Sequence, residues 1–117
     1  MIKERKYIRV PLPLGIKYRF EDEDKLVNGT IEDIGWGGVF LKVNPVPAKG
    51  KRIMLEFEIP GESVVVSLWG TVVRVCEEHG KPVGVGIQFD ELDNETRSQI
   101  QKLVDYWVRY LVKKMKK

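Results

Sequence analysis

The chain has 117 residues, 20 of them Lys or Arg and 17 Asp or Glu, for a formal net charge of +3. That length fits one domain with its own core, the charge is too balanced to single out nucleic acid as a partner, and the one cysteine, Cys76, excludes an internal disulfide. One His and one Cys also exclude a zinc set or a Cys/His nucleophilic pair, and no apolar run approaches the ~20 residues of a membrane-spanning helix. The lone thiol and the charged first residues, which lead into no apolar segment, predict a soluble cytoplasmic protein.

Residues 1–13 read as an arm carrying Lys3, Arg5, Lys6 and Arg9. Arg5 and Arg9 are four apart, so they share a face whether the arm is helical or extended. Two planar guanidinium forks on one face suit phosphate oxygens or the acceptor edge of guanine, although a merely solubilising terminus would look the same. Pro11 and Pro13 stop a helix and favour an extended connection. The first strand is therefore expected over residues 15–20, with Ile16, Tyr18 and Phe20 on one face and Lys17 and Arg19 on the other. Glu21 to Asp24 form a hairpin tip, without the spacing or the glycine of a calcium loop. Residues 25–33 make the second strand, with Leu26 and Ile31 buried and Asp33 at its end.

The run Asp33-Ile34-Gly35-Trp36-Gly37-Gly38 packs three glycines behind an acid. Its backbone is free to approach a neighbour closely, and the carboxylate can accept two parallel hydrogen bonds from adjacent N–H donors, as on guanine or on an arginine. The same residues would also serve as a capped turn or a bulge between strands. Trp36 at the tip can stack on a base or pack on its own strands.

A third strand, 38–43, leaves this loop, and the Pro- and Gly-containing segment Asn44 to Gly50 follows. The fourth strand alternates Ile53, Leu55, Phe57 and Ile59 with Arg52, Met54, Glu56 and Glu58. Residues 64–76 and Val83 to Phe89 supply the fifth and sixth, joined by Glu77 to Lys81 with His79 in the solvated turn. Six short antiparallel strands imply a small barrel or a sandwich. The period then changes: from Asp93 or Asn94 to about Lys113 one helix carries Ile100, Leu103, Val104, Trp107 and Leu111 along a face that would close the open end of the strands. Val108, Tyr110, Val112 and Met115 widen the apolar arc beyond the ~100° of a simple surface helix. That excess calls for deep burial, for the arm, or for a second subunit.

An R-x-x-x-R arm at Arg5 and Arg9, followed by an acid-to-glycine motif at Asp33 and Gly38, resembles the paired signature of the PilZ domain, the bacterial receptor module for cyclic di-GMP. The family writes the second motif [D/N]-x-S-x-x-G, and here Gly35 stands at the serine. Val39-Phe40-Leu41, Gly70-Thr71-Val72-Val73-Arg74 and Gly84-Val85-Gly86-Ile87-Gln88-Phe89 also look like family strands, so that the resemblance covers roughly residues 3 to 111. It implies a mainly β protein, a small six-stranded antiparallel β-barrel over 15–89 with the arm at 1–13 and a C-terminal α-helix at 93–115. It further implies cyclic di-GMP held by Arg5, Arg9 and Asp33, with Gly35 and Gly38 against it and Lys6, Trp36 and Gly37 as further contacts. No catalysis, metal, cofactor, nucleic acid or membrane insertion is expected. The partners expected are cyclic di-GMP, a protein controlled through ordering of the arm, and a second copy of the chain through the helix. The alternative is a PilZ-fold protein–protein interaction module that, lacking the serine, does not bind the nucleotide.

Overall fold

A computed structural model describes residues 10–35, 37–59 and 61–115. Six strands, β1 (Val10–Phe20), β2 (Val27–Ile34), β3 (Gly38–Lys42), β4 (Arg52–Glu58), β5 (Val65–Glu78) and β6 (Lys81–Phe89), precede one helix, α1 (Asn94–Met115). All pairings are antiparallel, and the order β1-β2-β3-β6-β5-β4 closes into a barrel because β4 returns to β1, with Tyr18 opposite Leu55 and Phe20 opposite Ile53. Closure leaves no unpaired sheet edge among these strands.

The expected alternation appears where it was clearest. Ile16 and Tyr18 point inward from β1, and Ile53, Leu55 and Phe57 from β4. They join Ile31, Ile34, Val39, Leu41, Val66, Leu68, Val72, Val85, Ile87 and Phe89 in one core. Ile100, Leu103 and Val104 of α1 belong to the same core, so the first half of the helix packs on the barrel as expected. Asp93 is its N-cap: the Thr96 N–H donates to Asp93 Oδ1 at 2.7 Å, which also holds the Asp93 carboxyl below the usual range.

Several boundaries differ from expectation. β1 begins at Val10 rather than at residue 15 and contains both prolines; the β1–β2 register slips between Pro11 and Leu14, and such an irregularity tolerates residues that cannot donate to the ladder. Leu26, expected in the core, is 38% exposed, because β2 starts at Val27, two residues later than expected, and Leu26 lies in the connection. The β5–β6 connection shrinks from five residues to two: His79 and Gly80 take φ of 53° and 78°, and successive positive φ is what a two-residue hairpin turn needs to match strand twist. The second half of α1 is not deeply buried, since Val108 and Val112 are exposed.

The link from β6 to α1 is pinned by Arg52, whose Nη1 and Nη2 donate to the two Asp90 oxygens at 2.9 and 2.8 Å. The guanidinium also lies 5.5 Å from the Trp69 ring, and Arg19 lies 5.2 Å from it. Hydrogen bonds from Arg52 pull the Asp90 carboxyl below its ordinary value. A depressed folded-state pKa contributes stability that is present above the unfolded value of about 4 and lost as pH falls through the folded one. Both side chains are about two-fifths exposed, so the contribution is small, at most about 1 kcal/mol. Arg52→Gln is expected to lower the urea midpoint slightly at pH 6 and by progressively less as the pH falls below about 4.

Candidate functional site

The site is built from two irregularities in the barrel wall. In the β2–β3 ladder Ile31 faces Leu41 and Asp33 faces Phe40, so Glu32 is an extra residue on β2. Strict alternation from the buried Ile31 would turn Asp33 into the core and Ile34 out. The bulge reverses the phase: Ile34 is fully buried, and Asp33 becomes half-buried and faces outward. A second slip lies in β5, where Val72 faces Ile87 and Arg74 faces Gly86, with Val73 extra between them. Arg74 is thereby exposed on the outer surface.

These registers align across four strands. Asp33 on β2 pairs with Phe40 on β3, Phe40 with Gly86 on β6, and Gly86 with Arg74 on β5. Two glycines make the row shallow. A Cβ on Gly86 would stand 2.9 Å from Arg74 Nε, and one on Gly84 would stand 2.7 Å from the tip of the Phe40 ring. Both side chains therefore lie across bare backbone, and the row offers a carboxylate at one end, an aromatic ring in the middle and a guanidinium at the other. Phe40 and Arg74 were not among the expected site residues. The signal was the pair of glycines in Gly84-Val85-Gly86, whose significance depends on which strand lies beside them.

The loop itself is tight. The Gly35 N–H donates to the Gly38 carbonyl at 2.9 Å, and the Phe89 N–H donates to the Gly37 carbonyl at 2.8 Å. Gly38 is glycine for a reason internal to the barrel: a Cβ there would stand 1.9 Å from the Ile87 carbonyl oxygen of β6. The close approach that the sequence assigns to a ligand is, at this position, an approach between strands. Beyond Gly37 a cleft of about 250 Å³, lined by Gln88, Phe89, Asp90, Glu91, Leu92 and Arg97, separates the loop from the start of α1.

Arg5, Lys6, Arg9 and Trp36 lie outside the described residues. The register nevertheless shows where the segment that carries Arg5, Lys6 and Arg9 joins the barrel, for Val10 pairs with Ile34 and Pro11 with Asp33. The residue bonded to Arg9 thus sits beside the acid, at the mouth of the loop. Among the described residues no three His, Cys, Asp or Glu side chains gather as a metal site, and no helix is long and apolar enough to cross a membrane.

Comparison with known proteins agrees with this architecture. The sequence profile of the PilZ domain matches residues 3–106. The PilZ domain with c-di-GMP of YcgR from Escherichia coli superposes with a TM-score of 0.77 at 14% identity, over 98% of this chain and 99% of that one. The Bacillus subtilis inhibitor of motility MotI/DgrA gives 0.73 at 17% identity, over 97% of this chain and 53% of that one, so the present chain spans about half of it. A tetrameric PilZ domain of a pathogenic protein from Xanthomonas campestris, self-assembled through a helical bundle, gives 0.59 at 13% identity over 79% of this chain and 51% of that one. A search of curated protein sequences gives no match.

Proposed function

The chain belongs to the PilZ domain family, and on that footing we propose that it is a receptor for cyclic di-GMP that reports the nucleotide to a protein partner in the cytoplasm. The observation that carries this reading is the placement of Asp33: a bulge turns it outward, and the register sets it beside the point where the Arg5/Arg9 arm joins β1. The ligand is a doubly charged anion with two guanine bases. In this proposal Asp33 accepts the paired N–H donors of one guanine edge, Arg5 and Arg9 close on the phosphates, and Arg74 offers a planar cation over which a base can stack. Phe40 forms the apolar floor between them. Lys6, Trp36 and Gly37 stand as further contacts, Gly35 leaves room at the loop, and Gly38 holds the loop against β6.

Ligand binding draws the arm onto the barrel, and the ordered arm is the surface that a partner reads. Calorimetric titration with cyclic di-GMP at low salt, with GTP as control, tests the first half; binding selective for the cyclic dinucleotide and weakened by salt is expected. Hydrogen exchange of residues 2–9 tests the second, with slower exchange expected when the nucleotide is added and equal exchange counting against the coupling.

The second reading, a PilZ-fold interaction module blind to the nucleotide, is favoured by Gly35 alone. A serine hydroxyl would add one neutral hydrogen bond, worth about 0.5–1.5 kcal/mol net, against larger contributions from the charged contacts. Its absence weakens the site without removing it. Gly35→Ser is accordingly expected to tighten binding by roughly two- to tenfold provided the backbone at 35 has negative φ, and the melting temperature of the same samples shows whether this buried position accepts the side chain. No heat at high nucleotide concentration, for the native chain and this variant alike, would establish the interaction module instead.

A further inference from the structure

We propose that the second half of α1 pairs antiparallel with the same half-helix of a second copy of this chain. The helix divides in two. Its first half spends its apolar residues on the core, where Ile100 and Leu103 are fully buried and Val104 nearly so. Beyond Asp105 the described aliphatic side chains are not covered by the barrel. Val108 and Val112, one turn apart on one face, are 41% and 45% exposed, and an open groove of about 660 Å³ runs along them between Tyr106, Arg109, Tyr110 and Lys113. Two β-branched aliphatics held half in water at that spacing form the seam of a helix pair rather than a solvated face.

Charge selects the occupant and its direction. Asp105, Arg109 and Lys113 follow one another at i, i+4 and i+8 along the flank of that seam. A parallel copy would set Asp105 against Asp105 and Lys113 against Lys113. An antiparallel copy centred between Arg109 and Tyr110 brings Val108 to within one residue of Val112 twice, brings each Asp105 to within one residue of the Lys113 of the other chain, and opposes the two helix dipoles. Only Arg109 meets its own kind, close to the axis. Asp105 is already oriented, since Gln101 Nε2 donates to its Oδ1 at 2.5 Å. Two helix faces of about three turns fall below the ~1,200 Å² of a standard interface, so the pair is reversible and concentration-dependent.

Sedimentation velocity of the full chain over a wide concentration range is expected to show a monomer–dimer equilibrium. Val112→Glu should abolish the dimer while leaving the melting temperature unchanged, because that side chain contributes little to the core. Asp105→Lys and Lys113→Asp should each weaken dimerisation about tenfold, and the double variant should restore it. Restoration by the exchange is specific to the antiparallel arrangement, and its failure would overturn that arrangement. A chain that stays monomeric at millimolar concentration, or a dimer indifferent to Val112→Glu, overturns the proposal; in the first case, faster exchange of residues 1–9 in Val112→Glu would identify the arm as the occupant.

Discussion

Replacing Arg9 and Asp33 together by alanine is expected to remove measurable binding of cyclic di-GMP while the barrel stays folded. Each residue supplies hydrogen bonds in which one partner is ionised, and such bonds contribute about 1.5–3 kcal/mol. Losing both costs roughly 3–6 kcal/mol, a hundred- to ten-thousand-fold in affinity. The single variants separate the roles. Arg9→Ala should weaken binding and flatten its dependence on salt, since one fewer cation faces the phosphates. Asp33→Ala should weaken binding and also narrow the preference for guanine over adenine, because only guanine presents adjacent N–H donors to a carboxylate. Asp33 is half-buried near the end of its strand, at the position the bulge at Glu32 turns away from the core. Titration calorimetry and thermal melting on the same samples decide the matter. Loss of binding that merely follows a large fall in melting temperature would mark Asp33 as a structural residue of the wall and sink its role as a guanine acceptor.

Gly38→Ala should be the most damaging single substitution in the loop, through the fold rather than through the ligand. The new methyl would stand 1.9 Å from the Ile87 carbonyl oxygen, where no rotamer change can help because both atoms belong to backbone. Relief requires parting β3 from β6, and that seam carries the pairs Gly38–Gln88, Val39–Ile87, Phe40–Gly86 and Leu41–Val85. The expected cost is about 3 kcal/mol or more, a drop of some 10–20 °C in melting temperature for a domain near this size. Gly15→Ala is the matched control: a Cβ there meets nothing within 4 Å, and its effect should stay within about 0.5 kcal/mol. A Gly38→Ala protein that melts like the parent but no longer binds nucleotide would return this glycine to the ligand.

The two glycines at the ends of the loop show how differently a sequence motif can be spent. Gly38 matches the family pattern and is explained by strand packing alone, whereas Gly35 departs from it at a buried position whose N–H is bonded across the loop. A motif records that a residue type is needed and is silent on whether a ligand or a neighbouring strand needs it. Arg74 shows the converse. It lay within a recognised strand pattern, yet nothing in its local context set it apart, because its meaning comes from Gly86 on another strand and from the bulge at Val73.

What the sequence determined by itself is whatever a period of two or of 3.6 can carry. Alternation placed Ile16, Tyr18, Ile53, Leu55 and Phe57 inside, the helical period placed Ile100, Leu103 and Val104 against the barrel, and the spacing of the arginines, the acid and the glycine placed the chain in its family. What only the tertiary structure decided is everything that depends on register between strands distant in sequence. One extra residue in β2 turned Asp33 outward and Ile34 inward, one in β5 set Arg74 across Gly86, and the return of β4 to β1 closed the barrel. The physical reason is that a bulge shows in the sequence only as a break in alternation, which does not say which residue is the extra one. It is selected because it brings Ile34 into the core and so keeps an acid out of it, and that balance exists only once the neighbouring strands are in place.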